Sequence, residues 1–128
     1  MPTRPPPTDP QTRGRVAEGL ARRYLEARGM VLETCNYRCR LGEIDLVMRH
    51  GRCLVFVEVR QRRNHRFGGA AESIDARKRR KLIAAARHYL LRLRHPPQAT
   101  RFDVVLLEGE PPHCTIHWLQ NAFEADDR

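Results

Sequence analysis

Glu43-Ile44-Asp45-Leu46-Val47-Met48, Arg49-His50-Gly51-Arg52 and Cys53-Leu54-Val55-Phe56-Val57-Glu58-Val59-Arg60 follow one another without a break. Their reading decides the fold. The first and third runs alternate with a period of two, and a turn-length connection containing Gly51 separates them. That pattern predicts a β-hairpin. A symmetric turn at His50-Gly51 sets Met48 against Cys53, Asp45 against Phe56 and Glu43 against Glu58. Alternation then places Glu43, Asp45 and Val47 on one face with Leu54, Phe56, Glu58 and Arg60. The opposite face carries Ile44, Leu46, Met48, Val55, Val57 and Val59, so it must be core. In this register Asp45 and Glu58 are diagonal neighbours, with α-carbons about 7–8 Å apart.

The flanking segments read as helices and strands. From Thr12 to Gly29 the spacing is helical, with Val16, Leu20, Tyr24 and Leu25 joined by Ala17 and Ala21 on one apolar face. Gly29 is the stop, and a short strand from Met30 to Asn36 follows. Residues 61–72 read as a loop around Gly68 and Gly69. A second helix runs from Asp75 to Arg94 with Leu82, Ala86, Tyr89, Leu90 and Leu93 as its buried stripe, ended by Pro96 and Pro97. Strands at Arg101–Leu107 and Thr115–Trp118 complete the chain. The order is αβββαββ. The long second helix serves as a crossover, which makes the strands before and after it parallel. The expected class is α/β, a central mixed β-sheet flanked by helices. Residues 1–11, rich in proline, are expected to be a disordered tail, 12–123 one domain, and 124–128 a C-terminal tail.

With 24 cationic and 15 acidic residues the formal net charge is +9. A balance this basic favours a polyanionic partner, nucleic acid first. Only Lys78 and Lys81 among the cations are lysine. Arginine dominance of this kind often follows genome composition, so the charge carries more weight than the choice of arginine. The four cysteines make no C-x-x-C pair, and no apolar run approaches the roughly 20 residues of a membrane span. A cytoplasmic location with free thiols and no membrane partner is expected. The spacing of Cys35, Cys39, His113 and Cys114 matches no common structural zinc site.

The acidic residues of the hairpin are the unusual feature. Glu43 across from Glu58, with Asp45 beside them, is a repulsive arrangement. A divalent cation offsets the repulsion, and oxygen ligands suit Mg2+ or Mn2+. On spacing alone the cluster reads equally as a solvated surface and as a metal site. Glu18 lies at the flank of the first helix's apolar stripe, about 110° from its centre, within reach of the sheet edge.

Gly42-Glu43-Ile44-Asp45-Leu46-Val47 and Val55-Phe56-Val57-Glu58-Val59-Arg60 resemble the YraN family of small bacterial proteins. So do Phe67-Gly68-Gly69-Ala70, Ala86-Arg87-His88-Tyr89-Leu90, Arg101-Phe102-Asp103-Val104-Val105 and Asn121-Ala122-Phe123. The resemblance spans residues 12–123. It implies a restriction-endonuclease-like, PD-(D/E)XK fold, similar to archaeal Holliday junction resolvases. It implies a metal-dependent endonuclease as well, with DNA, branched DNA included, as substrate. By position, Asp45 is the motif's acid and Glu58 the glutamate of its E-x-K element. Together they are the metal pair for Mg2+ or Mn2+. Glu18 matches an acid on the first helix, Gln61 a further polar residue, and Arg60 stands where the motif has lysine. Arginine keeps its proton at neutral pH. The departure therefore sets a second reading beside the enzyme: a catalytically inactive nucleic-acid-binding module. A protein-interaction adaptor with a basic surface is a third.

Two basic segments flank the glycine loop. Arg62, Arg63 and Arg66 lie in one, and Arg77, Lys78, Arg80 and Lys81 in the other; Arg87 follows Arg80 by seven residues, and Arg94 follows Arg87 by seven more. They converge on the end of the sheet that carries Glu58, and they are the expected phosphate contacts. Monomer and homodimer are both left open.

Overall fold

The computed structural model describes residues 10–62, 74–110 and 113–125. Its elements are α1 (Pro10–Glu26), β1 (Val31–Cys39), β2 (Gly42–His50), β3 (Cys53–Arg62), α2 (Ala76–Leu91), β4 (Ala99–Glu108) and β5 (Thr115–Phe123). The αβββαββ order and the mixed α/β sheet are as the sequence predicts. The five strands lie in the order β1-β2-β3-β4-β5, antiparallel except for β3 and β4, which the α2 crossover leaves parallel.

The hairpin register differs from the symmetric one by two residues. His50 pairs with Cys53 and Met48 with Val55, so the turn is Gly51–Arg52. Gly51 has φ 62°, the positive value that a two-residue II′-like turn reserves for glycine at its first position. An even shift keeps the side chains of the paired stretch, Leu46 to Met48 and Leu54 to Val57, on their expected faces. What changes is the partner: one step beyond the last ladder pair, Leu46–Val57, Asp45 lies across from Glu58. Glu43 does not face Glu58. It pairs instead with Arg38 of β1 at 3.2 Å.

Both faces of the hairpin are covered. On one side Ala17, Ala21 and Leu25 of α1 pack on Leu46, Met48, Val55, Val57, Val105 and Leu107. The two alanines leave room for the helix to sit close to the sheet. Val16, placed on the buried stripe by its spacing, is 45% exposed, because the line at 17, 21 and 25 is the one that faces inward. On the other side Leu82, Ile83, Ala86 and Tyr89 of α2 cover Val47, Leu54, Phe56, Phe102 and Val104. Ile83 and Ala85 are buried beyond the expected stripe, and Leu90 and Leu93 only partly. Each fully buried side chain of this size contributes about 1.5–3 kcal/mol.

The helix ends follow local chemistry. α1 starts at Pro10, inside the segment read as a tail; proline is tolerated in a first turn, where its missing N–H has no partner to lose. It stops at Gly29, φ 92°, where the Met30 N–H reaches Leu25 O and the Gly29 N–H reaches Glu26 O, a Schellman arrangement. Asp75 caps α2 by accepting the Lys78 N–H at 2.8 Å. β5 runs on to Phe123, and Glu124 and Ala125 are tied back by Asn121 and Arg87. The rest of the expected tails, residues 1–9 and 126–128, lies outside the described residues.

Asp103 fastens β4 to β5. It is 1% exposed and accepts from Arg101 Nε (3.0 Å), Trp118 Nε1 (2.9 Å) and the Asn121 N–H (3.0 Å). The ladder shifts between Phe102 and Val104, and Asn121 has φ 51°. The carboxylate satisfies the backbone that this irregularity leaves unpaired.

Candidate functional site

Asp45 and Glu58 meet where the β2–β3 ladder stops. Asp45 Oδ2 accepts the Val59 N–H at 2.8 Å, standing in for a backbone carbonyl. On its other side β1 passes with Asn36 at φ 52°. Alternation along β2 slips at this point: Leu46 and Met48 face α1, whereas Ile44 joins the α2-side core. Ile44 is therefore core as expected, but on the opposite face. The local break is what lets Asp45 reach groups on both sides of the sheet.

Glu58 is 5% exposed, and its Oε2 has no hydrogen-bond partner. Its Oε1 lies 3.6 Å from Lys78 Nζ of α2. Burial, and then the charge of Asp45, push the Glu58 carboxyl up to about 8; Lys78 and Arg60 oppose them. Asp45 is raised mainly by burial, while the Val59 N–H and Lys78 favour its ionised form. Both shifts have one origin: two carboxyls held close together out of water, which favours their neutral forms.

This has a measurable consequence for stability. Glu58 binds its proton more tightly in the folded protein than at the ordinary value of 4.5. Its contribution is present in full below that value and is lost as pH rises to about 8. Chelator-treated protein is expected to lose stability across that window, and Glu58→Gln to remove this part of the loss. Denaturant melts at a series of pH values check it; identical profiles for the two proteins would contradict it.

Two clefts flank the acidic pair. On the α1 side an open cleft of 440 Å³ is lined by Arg15, Glu18, Asn36, Arg38, Glu43 and Asp45. Glu18 is thus brought to Asp45 as its flank position predicts. Its carboxyl is raised by burial and by Asp45, against a hydrogen bond from Asn36. On the α2 side a cleft of 360 Å³ runs under the β1–β2 turn, with Arg38, Arg40, Glu43, Lys78 and Lys81 in its walls.

The remaining predicted residues divide. Arg60 shares the Glu58 face and adds positive charge to it. Gln61 donates to Gly109 O at 3.3 Å, so its amide is occupied by the end of β4. Arg62 is turned onto Glu108, 3.5 Å away, with a side chain only 17% exposed. Arg77, Arg80, Lys81 and Arg87 are exposed along α2, while Arg94 falls beyond its end, so that series stops at Arg87. Arg63, Arg66 and the Phe67–Ala70 segment lie outside the described residues. Sequence reasoning groups Lys78 with the phosphate contacts and misses its place beside Glu58. Arg15, Arg38 and Asn36 carry no sequence signal that singles them out.

The donor set fits a hard divalent cation. It offers two carboxylates, one with an unpartnered buried oxygen, and no sulfur or imidazole. Among the described residues no cluster of three or more His, Cys, Asp or Glu has metal-holding geometry. Two protein ligands are what Mg2+ commonly takes, since it keeps several waters. The zinc combination does not assemble: Cys35 and Cys39 are on β1, whereas His113 and Cys114 precede β5 at the opposite edge. No helix of the described residues is long and apolar enough to cross a membrane.

The model of "Uncharacterised protein family UPF0102" matches residues 17–107. That span runs from Ala17 of α1 through Asp45, Glu58 and Lys78 to β4. A UPF0102 protein of Nitrosospira multiformis is 52% identical over 114 residues, covering 89% of this chain and 94% of the relative. One of Xanthomonas euvesicatoria pv. vesicatoria is 52% identical over 124 residues, 94% of this chain and 98% of its own. One of Legionella pneumophila is 48% identical over 116 residues, 90% and 97% of the two chains. The chain belongs to the UPF0102 family, which is the YraN family that the hairpin residues resemble.

Proposed function

We propose that this protein is a nucleic-acid-binding protein with a restriction-endonuclease-like fold that hydrolyses phosphodiester bonds with Mg2+ or Mn2+ held by Asp45 and Glu58. The observation that carries the reading is the acidic pair itself. Two carboxylates are forced together in a protein of net charge +9, one of them buried with an oxygen left unpartnered. Such a pair costs stability unless something fills it. The metal would supply an activated water and would neutralise charge on the phosphate.

The chain's own residues supply the rest. The Val59 N–H fixes the orientation of Asp45. Glu58, ionised, would be the second carboxylate ligand beside Asp45. Cations on both sides of the pair, Arg15 and Arg38 in one cleft, Lys78 and Lys81 in the other, attract and hold the phosphate backbone. DNA is the favoured partner and branched DNA the substrate to try first. The alternative is a binding module that keeps the fold without turnover, and Arg60 in the lysine position favours it.

Binding is expected to weaken steeply with salt as bound phosphates release counterions. Arg77→Ala, Arg80→Ala and Lys81→Ala combined should weaken all sequences together and lower the salt slope by about one for each cation removed from the phosphate backbone. Fluorescence anisotropy of labelled duplex and branched substrates at several salt concentrations checks this. Affinity indifferent to salt, or a triple variant that binds like the parent, would reduce these side chains to a solvated face.

A further inference from the structure

Position 60, where the E-x-K pattern places lysine, carries arginine, yet the acidic pair is not without a lysine. Lys78 reaches Glu58 from the other side, Nζ to Oε1 at 3.6 Å. The chain uses arginine for all but two of its 24 cations, and both exceptions, Lys78 and Lys81, fall in the first two turns of α2. One of those two is the residue that touches Glu58.

Helix electrostatics does not explain the placement. The first turn of α2 has no acidic residue, and the positive end of a helix disfavours cations. Of the cations at this end of the helix, Lys78 is the one that forms an ion pair with Glu58 among the described residues. Its backbone is fixed, because Asp75 accepts the Lys78 N–H at 2.8 Å. The helix is also pinned to the sheet. A Cβ on Gly42, φ 159°, would come within 2.8 Å of Lys81 O, so glycine lets β2 begin directly against α2. The Lys78 side chain is 33% exposed and lines the α2-side cleft. It faces the carboxylate with one end of its reach and solvent with the other.

We propose that Lys78, from α2, takes the place of the missing lysine at position 60: it positions the Glu58 carboxylate and presents its ammonium to a phosphate entering the α2-side cleft. An ammonium is a compact point charge with three donors, so it can serve Glu58 Oε1 and a phosphate oxygen together. Arg60 has a planar fork suited to bidentate contacts, and its charge also acts on Glu58. The assignment rests on the nuclease reading above.

The test compares the parent with Lys78→Met, Lys78→Arg and the double variant Lys78→Met/Arg60→Lys. Three quantities are read: cleavage of a branched DNA, anisotropy of the same DNA in chelator, and Mg2+ calorimetry on protein alone. Lys78→Met should cut cleavage about 100-fold while DNA affinity moves less than about threefold, one phosphate-binding cation among many. It should also tighten Mg2+ about three- to tenfold, because a like charge has been removed from the ion's side. The double variant should recover at least about a tenth of the parent rate, and Lys78→Arg should not. Lys78→Met cleaving like the parent overturns the assignment. So does a double variant no faster than Lys78→Met, which would leave Lys78 a structural counter-ion. If the parent cleaves no DNA, the nuclease reading fails on its own, and an Mg2+ affinity unchanged by Lys78→Met then overturns the Lys78 assignment as well.

Discussion

Glu58→Ala is expected to abolish cleavage, a loss of about 10³-fold or more, while leaving nucleic-acid binding intact. The reason is the division of labour around the sheet end. Glu58 is 5% exposed and lines neither cleft, so it contributes nothing to holding the phosphate backbone. Removing Glu58 takes no cation from the clefts and adds no negative charge, so affinity should hold. Stability should not suffer, since a group whose carboxyl is pushed up to about 8 by burial and by Asp45 is a cost to the folded chain near neutral pH. Cleavage and anisotropy measured on one preparation, with a melting curve for each variant, separate the three effects. Cleavage that persists unchanged in Glu58→Ala would point to a contaminating enzyme and sink the nuclease reading.

Asp103→Ala is expected to be the most damaging single change to the fold, at about 3–5 kcal/mol, the cost of leaving a buried partner charge uncompensated. Arg101, with a side chain 17% exposed, donates to Asp103 through both Nε and Nη2. Trp118 Nε1 and the Asn121 N–H would lose their acceptor at the same time. The melting temperature should fall by roughly 10 °C or more. Asp103→Asn keeps the shape and part of the acceptor capacity and should fall less. Asp103 points to the face of the sheet away from Glu58, by the parallel register that aligns it with Val57. The Asp103 variants should therefore leave cleavage per folded molecule near the parent value. A melt within about 2 °C of the parent, roughly half the shift that 1 kcal/mol gives a small domain, would show that the network carries little.

The order of elements was legible because the period of the apolar pattern changes cleanly from 3.6 to 2 at Gly29 and back at Asp75. The faces of the hairpin were legible too, and they survived a register error because the error was even. The partner of each acid was not. Whether the turn closes on His50-Gly51 or Gly51-Arg52 depends on the conformation at Gly51, φ 62°, which the one-letter pattern leaves free. Ile44 changed sides for a related reason: nothing in a strand's alternation announces that Asp45 will replace a backbone acceptor for Val59. The contact of Lys78 with Glu58 was not legible, because the two are 20 residues apart and on different elements, so only tertiary packing brings them together. A usable clue was present in the composition, one of two lysines among 24 cations.

The central claim is that Asp45 and Glu58 hold a divalent cation, and calorimetric titration of the chelator-treated protein with Mg2+ and Mn2+, alone and with nucleic acid, tests it most directly. The reading predicts saturable binding of one of these ions that Glu58→Ala removes, with a proton released on binding below about pH 8. No binding under any of these conditions, or binding that Glu58→Ala leaves unchanged, would contradict it.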